Sequence, residues 1–73
     1  MQLGRHIHVI RQSKGYKQAY LAEVAGVSQG QISRIERGVA KPSFTEMVRI
    51  AAALHCSLDE FADDVRGPLH RRS

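Results

Sequence analysis

The sequence predicts an all-α fold, a compact bundle of five short helices. Two observations carry that prediction. Apolar residues recur at three- and four-residue spacing, and no β-branched run alternates with polar residues. Ser28, Ser43 and Ser57 each stand three residues before Gln31, Glu46 and Glu60, directly ahead of an apolar helical stripe. In that arrangement the hydroxyl accepts from the third helical amide, and the Gln or Glu side chain reaches back to the cap amide. One such match is weak evidence; three of them mark helix starts along the chain.

The first segment carries Leu3, Ile7 and Ile10 on one stripe, and Gly15 is its expected stop. The second runs from about residue 18 to 25 and ends at Gly26. The third begins at Ser28, carries Ile32 and Ile35, and stops before Gly38. Pro42 bars a helix from continuing through it. The fourth runs from about residue 44 to 54, with Met47, Ile50, Ala51 and Leu54 inward. The fifth, about residues 58–64, offers Leu58, Phe61 and Val65. Residues 66–73 hold Gly67, Pro68 and three arginines and read as a loose basic tail, which leaves residues 1–65 as one domain.

Size and composition exclude several functions. A chain of 73 residues has room for one domain with a thin core. So small a body is poorly suited to enclosing a substrate. It shows no nucleophile–base pair, carboxylate dyad or phosphate-cradling glycine loop, so an enzyme is not expected. The longest apolar run, Ile50 to Leu54, is far too short to span a bilayer, and the first residues hold no apolar signal region. One cysteine, Cys56, permits no intrachain disulfide, and a reducing cytoplasm is the expected location. Four histidines raise the question of a metal. His6 and His8 are two apart and do not share a helix face, and His55 and Cys56 lack a second ligand pair. No metal or cofactor is expected, and Cys56 reads as filler of a small core space.

The charge is polarised. The net charge is +4, but residues 1–41 hold seven basic and two acidic side chains, a local +5. Residues 42–65 hold one basic and five acidic, a local −4, and Arg66, Arg71 and Arg72 follow. One end of such a molecule suits a polyanion while the other avoids it.

The second and third segments are joined by very few residues. Ala22 is small where a second helix must cross closely, and Gly26 can take the left-handed conformation of a tight helix–helix turn. Leu21, Val27, Ile32 and Ile35 can wedge the two helices at a fixed angle. A helix held in this way can project its N-terminal half into a major groove. Its remaining face is polar and rich in donors: Gln29, Gln31, Ser33, Arg34 and Arg37. Glutamine can bond bidentately to adenine, and arginine to guanine.

Over about residues 3–62 the chain resembles the Cro/repressor-type, lambda-repressor-like (Xre) helix-turn-helix regulators. The residues that carry the resemblance are Ile10-Arg11, Gly15, Gln18, Leu21-Ala22, Gly26-Val27-Ser28, Ile32-Ser33, Ile35-Glu36, Gly38, Pro42-Ser43, Ile50-Ala51, Leu54 and Ser57-Leu58-Asp59-Glu60. The resemblance implies a DNA-binding domain acting as a transcriptional regulator, a repressor or autoregulator, with the helix at about 28–37 reading the major groove. It implies base contacts from the first, second and sixth residues of that helix, here Gln29, Gly30 and Arg34. Gln31 and Ser33 join them as candidates from the same face. It also implies that Gln18, Arg37 and Lys41 hold backbone phosphate, with Lys17 and Lys14 flanking that edge. Arg11 is expected to bridge Glu36 and also to face phosphate.

Leu58, Phe61 and Val65 are the expected dimer element, with Leu58 and Phe61 mostly inward and Val65 at the two-fold contact. A homodimer would demand a near-palindromic operator. The alternative function is that of an antitoxin whose main partner is a toxin protein. Three positions depart from the family pattern. Gly30 lacks the expected reading side chain, His55 stands where relatives have Gly, and Lys17 stands where they place a Ser, Thr or Asn cap.

Overall fold

Helical spacing decides which residues turn inward, and the helix ends decide where the chain turns. The computed structural model describes residues 3–61; Val65 and the 66–73 tail lie outside the described residues. Four α-helices follow one another, α1 (Leu3–Ser13), α2 (Gln18–Ala25), α3 (Gln29–Glu36) and α4 (Phe44–Ala53). Where the fifth helix is expected to begin, the chain forms a 3-10 turn, Leu58–Phe61, with the Glu60 amide donating to the Ser57 carbonyl at 3.1 Å, and residues 62–64 of that expected helix lie outside the described residues. That three-residue bond winds the chain tightly and carries Phe61 into the interior after only one turn.

All four helices stop in the same way. At residues 15, 26, 38 and 55 the backbone has positive φ. The next amide then bonds five residues back: Tyr16 to Arg11, Val27 to Ala22, Val39 to Arg34 and Cys56 to Ala51, at 2.9–3.2 Å. This is the Schellman closure, which satisfies the last carbonyls of a helix. Glycine takes the left-handed conformation at no steric cost, and three of the four positions are Gly. The fourth is His55, at φ 59°, so the departure expected there is met by accepting the left-handed backbone with a side chain.

The starts differ more. Ser43 forms the full reciprocal cap: its hydroxyl accepts from the Glu46 amide at 3.0 Å, and Glu46 accepts from the Ser43 amide at 2.9 Å. Ser28 forms half of one, accepting from the Gln31 amide at 3.1 Å while the Gln31 side chain bonds elsewhere. Lys17 precedes α2 in an extended conformation and gives no side-chain cap.

One core joins the elements. Ile7, Leu21, Ile32, Ile35, Ile50, Leu54 and Phe61 are fully buried within it. Each such side chain contributes about 1.5–3 kcal/mol by leaving water. Helices α2 and α3 pack on each other, α1 packs on α3, and α4 packs on α2. Gly4 marks the tightest approach, where a Cβ would collide with the Ile35 carbonyl. Helix α1 therefore lies directly against the end of α3. Among the described residues no helix is long and apolar enough to cross a membrane.

Candidate nucleic-acid interface

Glu36 ends α3 and is buried, with its side chain 2% exposed. Its Oε2 accepts from Arg11 Nε at 2.6 Å, and its Oε1 accepts from Arg11 Nη2 at 3.0 Å. Gln18 Nε2 donates to the same Oε1 at 3.0 Å, and His8 Nδ1 lies 2.8 Å from it. Arg11 Nη1 donates to the Tyr16 carbonyl at 2.7 Å. One carboxylate thus ties α1, the α1–α2 turn, α2 and α3 into a single corner. Burial works to raise the Glu36 pKa, but the hydrogen bonds from Arg11, His8 and Gln18 and the Arg11 charge outweigh it. The carboxyl is held below its ordinary value of 4.5 and stays ionised.

The expected Arg11–Glu36 bridge is therefore present, and Gln18 is part of it. Arg11 is itself buried, with its Nε and Nη1 turned onto Glu36 and Tyr16. Its first task here is to hold the corner. Lys17 precedes Gln18 and Arg37 follows Glu36, and both are exposed on either side of it. Lys14 and Lys41 are also exposed.

On α3, Gln29, Gly30 and Arg34 are exposed, while Gln31 and Ser33 are half-buried. Arg34 Nη2 donates to Gln31 Oε1 at 3.1 Å. Gln31 Nε2 in turn points to Glu46 Oε1 at 3.5 Å, a long contact from the start of α4. A Cβ added at Gly30 would stand 3.5 Å from Arg34 Nη1. The Arg34 guanidinium thus lies near Gly30, at a distance that would accommodate a Cβ.

Two residues of this site escaped sequence reasoning. His8 has no metal-ligand spacing to mark it, yet it stands three residues before Arg11, one turn away on the same face. That spacing was the available signal. The spacing from Ser43 marks Glu46 as a cap, and nothing in the sequence brings it to Gln31.

For the expected dimer element the structure divides the residues. Phe61 is fully buried in the core, as its inward reading expects, with its ring tilted 61° against that of His6 at a centroid separation of 5.1 Å, so it offers no surface. Leu58 is 38% exposed. Among the described residues no cluster of His, Cys, Asp and Glu is placed to hold a metal. Cys56 is half-buried at the core edge, and burial together with the nearby Glu60 charge pushes its thiol pKa up.

A helix-turn-helix family profile matches residues 7–61. The HTH-type transcriptional regulator SlrR of Bacillus subtilis is 40% identical over 62 residues, covering 84% of this chain and 41% of SlrR. SinR of the same organism is 35% identical over 63 residues, covering 85% of this chain and 57% of SinR. The chain thus spans about half the length of these relatives. SinR in complex with DNA superposes with a TM-score of 0.80 at 35% identity, covering 85% of this chain and all of that one. SinR in complex with the SinI protein gives 0.80 at 33% identity, covering 89% and 64%. The P22 c2 repressor on a synthetic operator gives 0.77 at 32% identity, covering 81% and 89%. With a profile match over most of its length and an Arg11–Glu36 corner fixing α3 to the scaffold, this chain belongs to the Cro/repressor-type helix-turn-helix family of transcriptional regulators.

Proposed function

We propose that the chain binds double-stranded DNA in a sequence-specific manner, as a homodimeric repressor or autoregulator acting on a near-palindromic operator. Helix α3 enters the major groove with Gln29, Gly30, Gln31, Ser33 and Arg34 toward the bases. Gln18, Arg11, Lys17, Arg37 and Lys41 form the phosphate edge on either side. The observation that carries the reading is the exposed polar face of α3, held rigidly by the buried Arg11–Glu36 pair. The solved complexes of SinR with DNA and of the P22 c2 repressor with operator support it. Arg34 reads a guanine, because its fork matches O6 and N7 in the major groove. The two-fold contact uses Leu58 and Val65 and sets the two α3 helices roughly 34 Å apart.

Selection on random duplex DNA tests all of this. A recovered two-fold motif supports the dimer. With Arg34→Ala, one position in each half-site loses its preference while the others keep theirs. A uniform loss across all sequences would sink the base-reading role.

A protein partner is the second reading, favoured by the complex of SinR with SinI. On that reading the chain is an antitoxin or a partner-controlled regulator. A selection that returns no motif favours it.

A further inference from the structure

We propose that His8 is a proton-dependent contact to the DNA backbone: it takes up a proton as a phosphodiester seats beside Gln18 and adds one positive charge per protomer. This rests on the DNA-binding reading above. His8 Nδ1 and Gln18 Nε2 meet the same atom, Glu36 Oε1, at 2.8 and 3.0 Å. The imidazole therefore stands beside the amide assigned to the phosphate edge. His8 is 36% exposed, so solvent and a ligand can both reach it.

The chemistry follows from which nitrogen is already engaged. Glu36 is ionised and can only accept, so the shorter contact, 2.8 Å, assigns the proton to His8 Nδ1, and the 3.2 Å approach of Arg11 Nη2 to that nitrogen is then not a hydrogen bond. In the neutral ring the lone pair is then on Nε2, an acceptor that repels a phosphate oxygen. A proton taken from solvent at Nε2 turns the acceptor into a donor and leaves the Glu36 bond intact.

Among the described residues, the charged groups in contact with the ring are Glu36 from α3 and Arg11 from α1, whose Nη2 lies 3.2 Å from Nδ1. Gln18, from α2, is neutral. Arg11 and Glu36 cancel, so the corner is neutral with neutral His8 and carries +1 with protonated His8. An incoming phosphodiester supplies a second anion for that added charge.

The test measures affinity of the full chain for one duplex from pH 8 to pH 5.5 at fixed salt. The probe is the duplex recovered by selection, with a random-sequence duplex beside it. Wild type should tighten as pH falls by about tenfold per protomer, the size of one charge-assisted hydrogen bond, and so by about a hundredfold for the dimer. His8→Gln, which can donate but cannot ionise, should give a flat profile. His8→Lys, with a fixed charge, should bind tighter than wild type at pH 8 and also be flat. His6→Gln and His55→Gln should keep the slope. NMR titration of the His8 imidazole should show it protonating at higher pH with duplex than without, a readout that packing alone would not move. A His8→Gln variant that keeps the wild-type slope overturns the proposal while DNA binding stands. No binding to either duplex at any pH overturns the DNA-binding reading as well.

Discussion

Glu36 is a charged residue kept inside a thin core, and its cost is met by donors from three directions. Removing Arg11 leaves the buried Glu36 carboxylate without its opposite charge, and with only the Gln18 and His8 contacts on Oε1. Arg11→Ala should therefore lower stability by about 3–5 kcal/mol, read by urea denaturation. A loss under about 1 kcal/mol, as for an exposed pair, would contradict the corner's structural role. Acid should act on the same group. Its pKa is lower in the folded state than its ordinary 4.5, so its contribution is fully present above that value. That contribution fades as pH falls through the folded value. Thermal melts from pH 6 to pH 3 should show a steeper acid loss for wild type than for Glu36→Gln. Equal slopes would place the acid sensitivity elsewhere.

At the scale of the element, each helix is a stripe, a start and a stop. The stripes of Ile7, Ile32, Ile35, Ile50 and Leu54 were legible because helical periodicity is local, and all five are buried. The stops were legible where glycine stands at the closure. His55 is the exception, and its positive φ makes His55→Gly a stabilising change, by about 0.5–1 kcal/mol in chemical denaturation. Gly4 shows the opposite limit. It lies inside α1, where a glycine ordinarily weakens a helix, yet its missing Cβ admits the Ile35 carbonyl. Gly4→Ala should lose about 1–3 kcal/mol despite its better helix propensity, because backbone must shift. A gain in melting temperature would show that α1 is free to move away. The pairing of α1 with α3 is long-range, so nothing near Gly4 in the sequence announced it. The Ser28 cap was half legible for a similar reason: the hydroxyl bond is local, but Gln31 turns to Glu46 and Arg34 once α4 arrives.

On the scale of the whole molecule, the charge is divided along the chain. The +5 of residues 1–41 falls on α1, α2, α3 and their connections. The acidic residues that follow fall on α4 and the 3-10 turn, as far as the described residues reach. Five side chains are assigned to phosphate: Gln18, Arg11, Lys17, Arg37 and Lys41. Four are cations, and Arg11 is already engaged by Glu36. Three free cations per protomer give a dimer a slope of log affinity against log salt near −5, about 0.9 per neutralised phosphate. Fluorescence anisotropy on one duplex at several salt concentrations measures it. A slope near zero would mean that α3 does not bring the basic edge onto DNA.

The helices, their stops, the polar face of α3 and the uneven charge were determined by the sequence itself, because each rests on spacing within a few residues. Tertiary structure decided the rest. It left Leu58 partly exposed, wound the start of the expected fifth helix as a 3-10 turn, and turned Arg34 onto Gln31. It also gathered His8, Arg11 and Gln18 on one buried carboxylate. Those outcomes depend on which distant atoms come into contact, and a carboxylate shared by three helices exists only after they have packed.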